Sequence, residues 1–123
     1  MNGYQQLVVW QKSIDLTEEI YKIVKYLPSS ELYALSNQMR RAVVSIPSNI
    51  AEGHSRRNTK EYINFLVIAR GSVSELETQL IICRRLNFLA EEQIVLPMRL
   101  CAEIGRMINA LIEKLSEKTG NQK

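Results

Sequence analysis

The sequence predicts an all-α protein, an antiparallel up-down-up-down four-helix bundle. Three observations carry that expectation: apolar residues recur at steps of three and four through nearly the whole chain, the breaks between such segments are short, and no segment alternates apolar with polar as a half-buried strand does. A chain of 123 residues closes one hydrophobic core and not two large ones. Residues 1–123 therefore read as a single domain, with an ordered core over about 5–117 and a tail expected to fray beyond it. With 46% hydrophobic and 24% charged residues, the balance is that of a globular protein and leaves no room for disorder or collagen-like bias.

The first helix is expected over 7–27, where Leu7, Trp10, Ile14, Ile20, Ile23, Val24 and Leu27 return with helical period and no glycine or proline intervenes before Pro28. Pro28, Ser29 and Ser30 punctuate the chain. Either serine can serve as an N-cap for the next helix, and Glu31 complements its positive end. That second helix carries Leu32, Leu35, Met39, Val43, Ile46 and Ile50 toward Gly53, a residue able to close it in a left-handed conformation. Asn58 followed by Glu61 has the form of a capping box, which starts the third helix near Thr59. Its stripe runs through Tyr62, Phe65, Leu66, Ala69, Val73, Leu76, Leu80, Cys83 and Leu86. Gly71, with Ala69, Ser72 and Ser74, makes a small-residue patch; a mid-helix glycine costs roughly 1 kcal/mol relative to alanine, and close approach of another helix is the expected return. A break at 87–89 precedes the fourth helix, with core spacing at Cys101, Ile104, Ile108, Leu111 and Leu115 and a bend expected at Pro97.

Several apolar residues fall outside these stripes, namely Val8, Val9, Leu16, Val44, Val67, Ile68, Ile81 and Ile82. A face that wide implies a homo-oligomer, because contiguous exposed apolar patches are rare on monomers. No apolar run approaches the ~20 residues that span a bilayer, and the start MNGYQQLVVWQK has none of the parts of a signal peptide, so no membrane is expected and the compartment reads as cytoplasmic.

Catalysis is not expected. The one histidine, His54, has no cysteine or second histidine near it in sequence, and its place past a helix end suits a cation facing the dipole. No glutamate is followed by histidine at di-iron spacing, no phosphate loop or dinucleotide fingerprint appears, and neither a metal nor a cofactor is implied. Cys83 and Cys101 sit on apolar faces and read as buried thiols. Tyr21, Tyr26, Tyr33 and Tyr62 lie near core stripes, which suggests packing with the hydroxyl at the rim.

The net charge of +3 is small, but its distribution is uneven. Arg40, Arg41, Arg56, Arg57, Lys60, Arg70, Arg84 and Arg85 crowd the central half, a pattern that fits either a polyanion site or a solvated face. Two of these pairs bracket QMRRAVVSIPSNIAEGHSRR, whose helical spacing contains Pro47. Proline there removes an amide donor and clashes with the Val43 carbonyl, at ~3 kcal/mol in an ordinary helix interior. Ser45, Ser48 and Asn49 are the polar groups expected to compensate, by meeting the freed carbonyl or by reaching a neighbouring chain.

The ordered set RR, SIxxNIAEG and ARGSxxEL, with Leu7, Val9 and Trp10 before it and Pro28, Glu31, Tyr33, Leu35 and Gln38 between, resembles the four-helix-bundle proteins encoded in intervening sequences of large-subunit ribosomal RNA genes. The resemblance runs from about Tyr4 to Leu115 and takes in Pro47, Asn49, Glu52, Gly53, Gly71 and Ser72 as structural motif residues. It implies a ring-like homopentamer of bacterial origin, similar also to the accessory protein of diversity-generating retroelements, with RNA or a reverse-transcriptase-like protein as partner. Two functions follow as expectations. In one, Arg40, Arg41, Arg56, Arg57, Lys60, Arg84 and Arg85 bind RNA or another nucleic acid through phosphates. In the other, the same arginines pair with Glu52, Glu75 and Glu77, and the protein is an interaction scaffold with no nucleic-acid binding.

Overall fold

The computed structural model describes residues 3–121. A 3-10 turn at Gly3–Gln6 leads into α1 (Val8–Ile23), which tightens into a second 3-10 turn at Val24–Tyr26. A third such turn, Ser29–Glu31, precedes α2 (Leu35–His54); α3 (Thr59–Arg85) and α4 (Glu91–Asn121) complete the chain. Each helix packs on its neighbours in sequence and α1 closes on α4, where Lys12 and Glu103 form an ion pair. The Lys12 ammonium, by hydrogen bond, holds the Glu103 carboxyl below the usual carboxylate range. Among the described residues there is no strand, and the chain is an all-α four-helix bundle.

The core follows the stripes with two corrections: Val9 and Leu16, expected outside them, are buried, and Leu32 and Leu86, expected on them, are exposed. Leu16 and Ile20 of α1 meet Met39, Val43, Ile46 and Ile50 of α2, Leu66, Leu76 and Leu80 of α3, and Ile104 and Ile108 of α4, all fully buried. Each such side chain contributes roughly 1.5–3 kcal/mol on leaving water. Ser13, buried among them in α1, returns its hydroxyl to the Trp10 carbonyl at 2.6 Å, so burial leaves no polar group unmatched there.

Local capping explains the boundaries. The Asn58 carboxamide oxygen accepts from the amides of Lys60 (2.8 Å) and Glu61 (3.3 Å), starting α3 at Thr59 as expected. That helix ends in a Schellman motif: Asn87 takes a left-handed φ of 62°, while the Phe88 amide reaches the Cys83 carbonyl at 2.8 Å and the Asn87 amide reaches Arg84 at 3.1 Å. For α4, the Gln93 side chain accepts from the Ala90 amide at 2.8 Å, the reciprocal half of a capping box.

Four local expectations are corrected. Neither Ser29 nor Ser30 caps α2; a backbone break at Ala34 delays the helix to Leu35, and the Glu31 carboxylate accepts the Leu35 amide at 3.4 Å. Gly53 lies inside α2 and not in a left-handed closure, and the helix finishes with the Ser55 amide on the Ala51 carbonyl and the Arg56 amide on the Gly53 carbonyl, both at 3.1 Å. What excludes a side chain at Gly53 is α3: a Cβ would stand 2.7 Å from Phe65 Cβ and 3.0 Å from the Tyr62 ring. Gly71, by contrast, faces outward with nothing within 4 Å of such a carbon, so the close approach lies one residue on, at buried Ser72. Helix α4 continues past 117 to Asn121, and the remainder of the expected frayed tail, 122–123, lies outside the described residues.

Pro47 and Pro97 sit within unbroken helices and are buried. The side chains around Pro47 bond each other rather than the Val43 carbonyl: Asn49 donates to the Ser45 carbonyl (2.8 Å) and hydroxyl (2.9 Å), and that hydroxyl pairs with Ser72 of α3 at 2.9 Å. Gly53→Ala is expected to destabilise the chain by ~1–3 kcal/mol in urea denaturation. Gly105→Ala, where a Cβ meets only Val73 at 3.9 Å, should be neutral or stabilising by up to ~1 kcal/mol.

Candidate nucleic-acid interface

The basic residues singled out by sequence fall in three places. Arg56, Arg57 and Lys60 occupy the α2–α3 connection, whereas Arg84 and Arg85 end α3, roughly 36 Å away along that helix. Arg40 and Arg41 lie in the first turns of α2, in the same half of the bundle as Arg84 and Arg85, since Met39 meets Cys83 there (Sγ–Sδ 3.7 Å). They still do not join: Arg84 and Arg85 border a crevice toward α4 with Ile81, Glu91, Ile94, Val95 and Met98. The structure thus brings no more than three of the seven together.

Partners sort them further. Arg40 donates to the Leu32 carbonyl at 3.3 Å, tying the turn before α2 to the helix. Arg56 pairs with Glu52 at 3.3 Å and lies 4.9 Å from the centre of the Phe65 ring, an arrangement worth ~0.5–1 kcal/mol at an exposed site. Arg84 donates to Glu91 at 3.0 Å across the α3–α4 turn. Among the described residues, the exposed side chains of Arg41, Arg57, Lys60 and Arg85 form no ion pair.

Arg41 has surroundings unlike the others. It stands with Asn37 and Ser45 on the ridge of α2 between two depressions, one bordered by Tyr21, Arg40 and Val44, the other by Tyr33, Gln38, Ser72 and Glu75. The second, about 500 Å³, runs along the α2–α3 seam. Its far wall is Glu75, whose carboxylate accepts from the buried Gln79 amide at 3.3 Å; the Gln79 carbonyl oxygen is buried without a partner among the described residues. Tyr33 is 90% exposed and Tyr26 67%, so the packing expected for them is overturned; Tyr21 is also exposed, and Tyr62 alone of the four is half-buried. The break at Ala34 carries Tyr33 out of the helical register, a departure that periodicity does not show.

The outward face of α3 is apolar or small between its charged ends: Val67, Gly71, Ser74, Thr78 and Ile82 follow one another at four- and three-residue steps, flanked by Ile68 and Ile81, and all are exposed. Among the described residues no group of three metal-ligating side chains occurs. His54 is the last residue of α2 and packs edge-on to Tyr62 at 5.7 Å. Burial pushes the Cys83 thiol up to about 11 and the Cys101 thiol up to about 12, with Glu31 and Glu77 adding to the shifts.

Fold and surface together define a small helical-bundle protein whose basic residues lie at separate sites. The chain belongs to the 23S rRNA-intervening sequence protein family, whose model matches residues 5–110. It is similar to a protein of unknown function from the S23 ribosomal protein family of Bacteroides thetaiotaomicron, known from a crystal structure, at 27% identity and a TM-score of 0.80 over 85% of this chain and 98% of that one. No curated protein matches the chain. No helix among the described residues is long and apolar enough to cross a membrane.

Both thiols should stay unreacted with an aromatic disulfide reagent at neutral pH in the native protein and react once the chain is unfolded. Because folding raises their pKa above the ordinary 9.0, the stability they contribute is complete below pH 9 and is lost as pH climbs toward 11 and 12, which thermal melts across that window will read.

Proposed function

We propose that the protein is a non-enzymatic bundle that assembles with copies of itself and binds RNA through phosphate contacts centred on Arg41. The observation that carries this reading is the company Arg41 keeps: an unpaired, exposed guanidinium between two depressions, each edged by an exposed tyrosine and sharing the Asn37 amide. Cation, aromatic faces and amides on one rim are the chemistry of single-stranded nucleic-acid binding, in which bases stack while phosphates are neutralised. Arg57, Lys60 and Arg85 supply further phosphate contacts, and Arg40, Arg56 and Arg84 keep their intramolecular bonds beside them.

Self-assembly uses the outward face of α3, and its ring is the homopentamer that the sequence resemblance implies. Repetition multiplies a weak site: phosphate contacts of modest strength per subunit gain avidity when several act on one strand. A protein-binding scaffold is the competing reading, supported by the Arg40, Arg56 and Arg84 bonds, which use guanidinium groups inside the molecule. The Arg41 surroundings favour RNA.

Arg41→Glu is expected to weaken binding of single-stranded RNA about tenfold and to lower the salt slope by about one, measured by fluorescence anisotropy over a salt series. A salt-insensitive isotherm, or no binding at about 50 mM salt, would refute the RNA reading. For assembly, Gly71→Arg should lower the native mass in sedimentation analysis without loss of helical circular dichroism; an unchanged mass would place the interface elsewhere.

A further inference from the structure

Resting on the reading of Arg41 as a phosphate contact, we infer that the groove between α2 and α3 takes an unpaired guanine nucleotide of a single RNA strand, its phosphate on Arg41, its ring on Tyr33 and its Watson–Crick edge on Glu75. Arg41 and Glu75 border the same groove, and no ion pair joins them. Opposite charges left open toward one space fit a ligand carrying both an anion and a cluster of donors. A phosphate alone is repelled by the carboxylate, and in a duplex the Watson–Crick edges are already paired and turned away from the groove. A nucleotide with its base turned toward Glu75 satisfies both.

Among the four bases, guanine has the matching edge. Its N1–H and exocyclic N2–H lie side by side and fit the two oxygens of a carboxylate. Adenine and cytosine set one amino donor beside a ring acceptor, and uracil sets its N3–H between two carbonyls, so each places a lone pair against the carboxylate. The Gln79 amide, 95% buried (5% exposed), holds Glu75 Oε2 at 3.3 Å, which orients the carboxylate before any ligand arrives. Tyr33, 90% exposed, has its ring free to stack, and the volume of about 500 Å³ falls within the ~300–1,000 Å³ of ligand sites. The Asn37 and Gln38 amides complete the wall with donors and acceptors for the sugar and base.

The test uses the full chain and uridine heptamers with a central guanosine, adenosine or uridine, read by fluorescence anisotropy at about 50 mM salt. A central guanosine should bind about tenfold more tightly than a central adenosine, the size of one good bidentate base contact. Glu75→Gln should remove that preference, so that central guanosine and central adenosine bind alike, whereas Tyr33→Ala should weaken all three heptamers about tenfold. Equal binding of the three, still dependent on Arg41, overturns the guanine inference and leaves the RNA reading intact; no binding of any heptamer overturns both. If Tyr33→Ala changes the native mass but no heptamer affinity, a second copy of the chain fills the groove and the inference falls. Both side chains are exposed, so circular dichroism should find both variants folded. Were Glu75→Gln not folded, the comparison of GMP with AMP by chemical-shift titration of the unmodified protein decides the matter, equal shifts refuting it.

Discussion

The crossing of α2 and α3 at Gly53 is the contact on which the rest of the molecule depends. With no Cβ there, the last turn of α2 lies directly against Phe65 and Tyr62, and the chain reverses through the four residues 55–58. That approach sets the register of the whole seam. Further along it the Ser45 hydroxyl meets Ser72 at 2.9 Å, and further still Met39 meets Cys83. A side chain at Gly53 would push α3 outward and stretch the serine pair, costing the buried Ser72 hydroxyl that partner at ~1–3 kcal/mol, while Ser45 keeps its bond from Asn49. Phe65 is held from both sides, by the missing side chain at Gly53 and by the Arg56 guanidinium over its ring.

The same seam makes the groove. Ser45 and Ser72 are small enough to let the helices touch, while Arg41 and Glu75, one turn toward the open end of the seam on each helix, are too long to fit between them and line its walls. Close packing and an open groove are therefore two consequences of one alternation of small and long residues. Next to the groove wall, with Gly71 and Thr78 four and three residues from Glu75, α3 carries Val67, Gly71, Ser74, Thr78 and Ile82 outward, so a single helix serves the core, the groove and a face that the bundle itself does not use.

Charge is governed by neighbours more than by number. A net +3 predicts only weak steering. What distinguishes the arginines is that Arg40, Arg56 and Arg84 each have an acceptor close by, so their guanidinium groups brace turns, while Arg41 has Glu75 across a groove and remains open. Adjacent residues in sequence thus take different parts: Arg40 secures the entry to α2, and Arg41, about 100° further round the helix, faces the seam.

The sequence by itself determined the all-α class, the four helices and most of the core, because burial of a stripe depends on 3.6-residue spacing, which is a local property. It also determined the Asn58 cap, since the acceptor and the amides it serves are two and three residues apart. Only the tertiary structure decided why Gly53 is glycine, because a left-handed closure and a close helix approach both need a missing Cβ, and the difference lies in where Phe65 stands. Only it decided that Tyr33 is exposed, because the break at Ala34 cancels the periodicity that put that residue near the core stripe. And only it separated one set of arginines into three places and joined Arg41 with Glu75, because partners that far apart in the chain are chosen by the packing of helices, which spacing along one helix does not encode.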